Sequence, residues 1–225
     1  MICPNCGKKS EVDMLCKECF LRKKLRLELP NSLGFEYCTR CSSAKMSGKW
    51  VEFDQIEDAV AELVTKNAKG NLEEIEEKLG EVLALDLDVI YVGGQEYSAT
   101  ISLEYGNFLL ERKTKVIVKK VSCPSCSKKS GGYFEAVLQI RGDFDPQIVE
   151  KIEKRIEKSK DQNAFITKIT RVRGGIDIYI GSKKVAEKIA RSFRTEAEIK
   201  KSSQLISVNR QTSKALSRFY YGLRF

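Results

Sequence analysis

The 225-residue chain contains no histidine. That absence removes the Ser-His and Cys-His nucleophile pairs, the commonest general base, and every metal site that needs an imidazole ligand. A hydrolase of a familiar plan is therefore disfavoured. Long apolar runs are missing too: no stretch approaches the roughly 18 apolar residues a membrane span needs. The opening Met1-Ile2-Cys3-Pro4 has no secretory apolar core, so a cytoplasmic protein is expected. Neither a phosphate loop of the form G-x-x-x-x-G-K-S/T nor a GxxG loop of the KH type occurs.

The residues that are present are 42% hydrophobic and 32% charged, with 40 Lys plus Arg against 31 Asp plus Glu, a net charge of +9. Such a composition suits a soluble globular protein, and the length suits two or three small domains. The charge is segregated. Residues 1–49 hold ten basic and five acidic side chains, and residues 50–111 hold three basic and fifteen acidic. Residues 112–122 add five basic and no acidic ones, and residues 123–225 hold 22 basic and 11 acidic. An acidic block thus separates two basic regions. Any single Lys cluster reads as a solvated face. The whole C-terminal region, at two cations per anion, points instead to a polyanion held by counterion release. No basic amphipathic helix stands out to favour a membrane surface.

Eight cysteines occur only as C-x-x-C pairs: Cys3/Cys6, Cys16/Cys19, Cys38/Cys41 and Cys123/Cys126. Two intervening residues make a knuckle that lets both thiolates reach one ion, and two knuckles complete a tetrahedron around zinc. Gly7 after the first pair can take the positive φ such a turn needs. Disulfides would need an oxidising compartment, and a thioredoxin-like redox role needs one such pair, not four. The expectation is two zinc ions in closed, all-cysteine structural sites. Cys3, Cys6, Cys16 and Cys19 are expected around the first, and Cys38, Cys41, Cys123 and Cys126 around the second. An interleaved grouping of Cys3/Cys6 with Cys38/Cys41 stays open.

The expected fold class is α+β, in three parts. Residues 1–47 read as an N-terminal zinc-knuckle region of the four-cysteine kind with little apolar periodicity, and residues 48–122 as a small acidic α+β domain. There, Asp54 and Glu57 predict a capping box ahead of the stripe Ile56, Ala59, Val60, Leu63 and Val64. Asn71 and Glu74 predict another ahead of Leu72, Ile75, Leu79 and Val82. Strands are predicted over 86–92, 97–105 and 115–121. Residues 123–225, starting with the last C-x-x-C, read as a basic ferredoxin-like domain of order β-α-β-β-α-β with an added strand. Asp145 and Pro146 start its first helix, which buries Ile148, Val149, Ile152 and Ile156. Gly174-Gly175 supports a hairpin, Ser182 opens the second helix, and a polar turn at 209–212 precedes the last strand. Phe219, Tyr221, Leu223 and Phe225 line one face of that strand. The aromatic signature of RNA-recognition motifs is not evident at the central strands, so the aromatics read as core.

Two stretches go beyond composition: CPSCSKKSGGYFEAVLQIR over 123–141, and ITKITRVRGGIDIYIGSKKVAEKIA over 166–190. With the four knuckles, and with KKSSQLISVNRQTS over 200–213, they make the chain resemble the Nmd-three family of large-ribosomal-subunit adaptors, in its archaeal-type form. The resemblance implies a non-catalytic factor that binds late precursors of the large subunit on the face that meets the small subunit. It implies rRNA and ribosomal proteins as partners, with another subunit-maturation factor as a candidate, and no small-molecule substrate or membrane. The chain stops at Phe225, so the family's leucine-rich export extension and its stalk-reaching C-terminal domain are not expected here. Charge segregation nominates Arg22, Lys23, Lys24, Arg26, Lys128, Lys129, Arg171, Arg173, Lys183 and Lys184 as RNA contacts, and leaves the acidic domain to face a basic protein. Two rival readings are a general zinc-ribbon translation or transcription factor, on tRNA, small subunits or DNA, and an RNA-acting enzyme built on carboxylates, Lys or Tyr.

Overall fold

The computed structural model describes residues 1–159, 161–208 and 215–225; the turn expected at 209–212 lies outside them. The chain divides into two compact units, Met1–Cys123 and Pro124–Phe225. The first contains α1 (Lys17–Lys24), β1 (Leu27–Glu28), β2 (Ser32–Cys38), β3 (Ser43–Met46) and β4 (Lys49–Glu52). It continues through α2 (Ile56–Asn67), β5 (Lys69–Gly70), α3 (Leu72–Leu79), β6 (Asp86–Gly93), β7 (Glu96–Tyr105) and β8 (Phe108–Val121). Six of these strands form one sheet in the order β4-β3-β2-β8-β7-β6, and β1 pairs with β5 as a separate ribbon. Within the large sheet only β2 and β8 run parallel, in register from Ser32 opposite Lys115 to Cys38 opposite Val121.

This sheet runs across the boundary expected at 47/48. Ser47-Gly48 is the two-residue turn between the paired strands β3 and β4, with both residues at positive φ, as tight hairpins require. Phe35, Tyr37, Ala44 and Met46 from the knuckle region pack with Ala59, Val60 and Val64 of α2 and with Tyr97, Ala99, Ile101, Val116 and Val118. Residues 1–47 and 48–122 therefore share a core and make one unit, not two. The inward residues of β7 alternate strictly, as a half-buried strand demands. Thr114 is the polar exception inside β8; its hydroxyl donates to the Pro30 carbonyl at 2.6 Å.

Three local expectations shift. The capping box of α2 lies one residue later, between Gln55 and Asp58. Asn71 precedes α3 but makes no side-chain cap; its amide instead accepts from the Arg26 N–H and donates to the Lys24 carbonyl. Gly80, left-handed at φ 68°, ends α3 after Leu79. The helical period therefore breaks there, Val82 turns outward at 89% exposure, and Leu83 takes its place inside.

The second unit contains α4 (Pro124–Ser130), β9 (Ala136–Arg141), α5 (Ile148–Glu157), β10 (Ile166–Val172), β11 (Gly175–Ile180), α6 (Lys183–Ser192), β12 (Glu198–Val208) and β13 (Ala215–Arg224). Asp145 accepts from the N–H of Gln147 in a turn that leads into α5, and Ser182 caps α6 by accepting from Val185. The β-α-β-β-α-β order is present from β9 to β12. The sheet order, β10-β11-β9-β13-β12, departs from a four-stranded split arrangement. The added strand β13 enters parallel to β9 and displaces β12 to the edge. Burial explains the exchange. The polar β12 is exposed along nearly its whole length, whereas β13 buries Tyr221 and Leu223 with Ile152, Ile178, Ile189 and Phe193. An interior position goes to the strand with apolar side chains to place there.

Candidate metal centres and exposed cations

Each cysteine is positioned by an ordinary local device. Cys3 begins a turn in which its N–H reaches the Lys8 carbonyl and the Gly7 N–H returns to the Cys3 carbonyl, with Gly7 at φ 76°. Cys16 is the residue before α1 and Cys19 lies in that helix's first turn. Between these pairs, Val12 and Leu15 bridge across a turn whose central residues, Asp13 and Met14, both have positive φ. Cys38 ends β2 and Cys41 sits in the turn to β3. Cys123 follows β8 and Cys126 lies in α4. Because β2 and β8 are parallel neighbours, their C-terminal ends meet, which brings together knuckles 82 residues apart.

The eight thiols form two groups, Cys3, Cys6, Cys16 and Cys19, and Cys38, Cys41, Cys123 and Cys126, each with all sulfurs within 4.8 Å of one another. Cys6 and Cys16 sulfurs lie 3.4 Å apart, and those of Cys41 and Cys123 3.6 Å apart. A disulfide would need about 2.05 Å. A tetrahedron with zinc–sulfur bonds of about 2.3 Å has edges of about 3.8 Å, which these separations approach.

The thiols' electrostatics fit a cation. The Cys16 N–H donates to the Cys3 sulfur and, against burial, brings that thiol down to about 6. Burial raises the Cys38 thiol, but N–H groups of Cys123, Arg40 and Cys41 outweigh it and bring the value to about 6. The neighbouring Cys16 and Cys6 thiols push Cys19 up to about 12. Four thiolates this close repel one another, so full ionisation requires a metal among them. Each group could hold one ion. Four sulfurs around an ion leave no coordination position for water, which suits a structural site and not a catalytic one.

The first tetrad is fastened to the sheet. Phe20 and Leu21 of α1 are fully buried with Cys3, Cys16, Ile75, Leu79, Leu103 and Phe108. Glu18 accepts from Lys8 at 2.9 Å, and the Lys8 ammonium holds its carboxyl below the usual range. Lys17 pairs with Glu81, which also accepts from the Tyr105 hydroxyl at 2.8 Å. These supporting carboxylates had no sequence signal, because partners 64 and 24 residues away from Glu81 are brought in only by the fold.

All ten nominated cations are exposed. Arg22, Lys23 and Lys24 occupy the last turn of α1, and Arg26 follows it in the segment pinned by Asn71. In the second unit, Lys128 of α4 bonds Asn163 and lies over the Tyr133 ring, beside Lys129. Arg171 is on β10 opposite Ile176, and Arg173 lies in the β10–β11 turn. Lys183 and Lys184 open α6, with Lys183 over Phe219. Lys168 and Arg218, which charge counting passed over, also lie over rings, those of Tyr179 and Phe134.

Residues 3–131 match the model of the NMD3 N-terminal domain, and residues 133–225 that of the second NMD3 domain. The chain belongs to the NMD3 family. NMD3 proteins are ribosome assembly and export adaptors, generally non-catalytic, and membership implies association with the large ribosomal subunit. A search of curated proteins found no match. Among the described residues, no helix of this NMD3 chain is long and apolar enough to cross a membrane.

Proposed function

We propose that the chain is a cytoplasmic, zinc-containing factor that grips rRNA of the large ribosomal subunit at its subunit-joining face, in late assembly or quality control. The observation that carries this reading is the match to both NMD3 domains over nearly the whole chain. Two features agree with it. The thiol tetrads offer rigid structural sites for two zinc ions, and the ten exposed cations offer phosphate contacts on both units. The exposed acidic residues of α2 and α3, among them Asp58, Glu73 and Glu77, suit a basic ribosomal protein or maturation factor.

Co-sedimentation of the zinc-loaded chain with purified subunits tests the proposal. Salt-sensitive binding to free large subunits, and none to small subunits or joined ribosomes, is expected. If six to ten phosphates are engaged, affinity falls by roughly 10³–10⁵ between 50 and 200 mM salt. A flat salt response, or preference for small subunits or tRNA, would overturn it.

A further inference from the structure

The five-stranded sheet of the second unit has two unlike faces. α5 and α6 pack on the side bearing Leu138, Ile140, Ile178, Ile180, Tyr221 and Leu223. The alternate residues form the opposite face. Strand pairing sets Tyr179, Val137 and Tyr220 in one row across β11, β9 and β13, with Lys168 at its β10 end. Both tyrosine rings are part-exposed, whereas Val137 between them is 1% exposed. Phe134 meets Tyr179 edge-on at 4.9 Å and carries the Arg218 guanidinium over its ring at 4.1 Å. The next rows bring Asp177, Gln139, Gly222 and Lys200, then Arg141 and Arg224. Gly222 leaves a gap there, and the sheet holds an open depression of about 560 Å³ with Gln139, Arg141, Glu198, Lys200 and Arg224 around it.

Five cations, Arg141, Lys168, Lys200, Arg218 and Arg224, face two carboxylates, Asp177 and Glu198, in these rows. A positive face with part-exposed rings and a polar depression complements a polyanion that has flat faces of its own. We propose that this face binds an unpaired stretch of RNA, with bases on Tyr179 and Tyr220 and the adjoining backbone held by Arg224 and Lys200. The choice of RNA rests on the ribosomal reading above. The two tyrosines stand two strands apart, about 10 Å. Stacked neighbouring bases are separated by only about 3.4 Å, so bases reaching both rings must be splayed, which a duplex forbids. Stacking on aromatic rings tolerates any sequence, so the face would select single-strandedness first.

The test uses the full zinc-loaded chain with a fluorescein-labelled ten-nucleotide oligouridine and a labelled RNA duplex of the same length. The chain is expected to bind the single strand, and Tyr179→Leu/Tyr220→Leu to weaken that binding about ten- to a hundred-fold while leaving duplex binding unchanged. Tyr179→Phe/Tyr220→Phe, which keeps the rings, should bind as the parent does. Gly222→Val adds side-chain bulk to the depression at a position where a Cβ meets only Lys200 atoms, at 3.7 Å or more; it should weaken the single strand as well. Equal losses for single strand and duplex, or parental binding by the Leu variant, would overturn the proposal. Failure of the parent chain to bind the oligonucleotide while it still sediments with large subunits removes the platform and leaves the ribosomal reading standing. Failure of both removes both. A protein partner on this face would show as large-subunit binding lost in the Leu variant with no oligonucleotide bound by either chain, which also overturns the RNA proposal.

Discussion

Replacing Cys16 and Cys19 by serine removes one knuckle of the first tetrad and none of the second. What remains to hold α1 is its apolar side: Phe20 and Leu21, both fully buried, contribute about 3–6 kcal/mol together. Ordering the eight helical residues costs about 1–2 kcal/mol each in backbone entropy. The solvent-screened pairs Lys8–Glu18 and Lys17–Glu81 add little against this cost. Structural zinc, at about 10–16 kcal/mol in small sites, is the term large enough to hold the segment. The double variant should therefore bind one zinc per chain instead of two. Its backbone amides over residues 1–26 should lose hydrogen-exchange protection, while those of β7, β8 and the second unit keep theirs. Metal content by elemental analysis and exchange by mass spectrometry read both effects. Retention of both ions would refute the grouping of the thiols, and protection retained at 1–26 would refute the energetic argument.

Three further outcomes follow from particular contacts. Gly175 has an ordinary φ, but a methyl group there would overlap the Ile140 carbonyl and the Arg141 side chain. Gly175→Ala should thus cost about 3 kcal/mol in thermal melts, more than the about 1 kcal/mol expected for Gly174→Ala at φ 79°; the reverse order would sink the close-approach argument. Met14 is non-Gly at φ 64° and 70% exposed, so Met14→Gly should relieve about 1–2 kcal/mol of left-handed strain and lose somewhat less through the unfolded chain. A net gain of about 0.5 kcal/mol is expected, and chelator resistance of the first zinc reports it; a lower resistance would count against the turn assignment. Ile152→Ala, fully buried under the five-stranded sheet, should cost about 2–5 kcal/mol by denaturant titration, and a cost under about 1 kcal/mol would contradict the described core.

Elements with strong local periodicity were legible from residues alone. The stripes of α2 and α5, the start of α6 after Ser182, the strand at β7 and the inward face of β13 all appear in the fold. β2, β3 and β4 were not legible. Their inward residues Phe35, Tyr37, Ala44 and Met46 are interrupted by a knuckle, and their core partners lie in α2, β7 and β8. The nominated cations were found by charge counting, which sees amounts and not faces. It therefore passed over Lys168 and Arg218, whose significance depends on the rings beneath them.

The sequence by itself determined the chemistry available: eight thiols in four knuckles with no imidazole, a basic chain interrupted by an acidic block, and two stretches characteristic of the family. It did so because ligand type, knuckle spacing and helical period are all properties of neighbours along the chain. Tertiary structure alone decided that residues 1–123 form one unit, that β13 and not β12 lies beside β9, and that Tyr179 and Tyr220 share the sheet face turned away from α5 and α6. Each of these turns on which distant strands pair. That choice depends on how apolar faces from separate parts of the chain are buried together, and no local window of residues contains it.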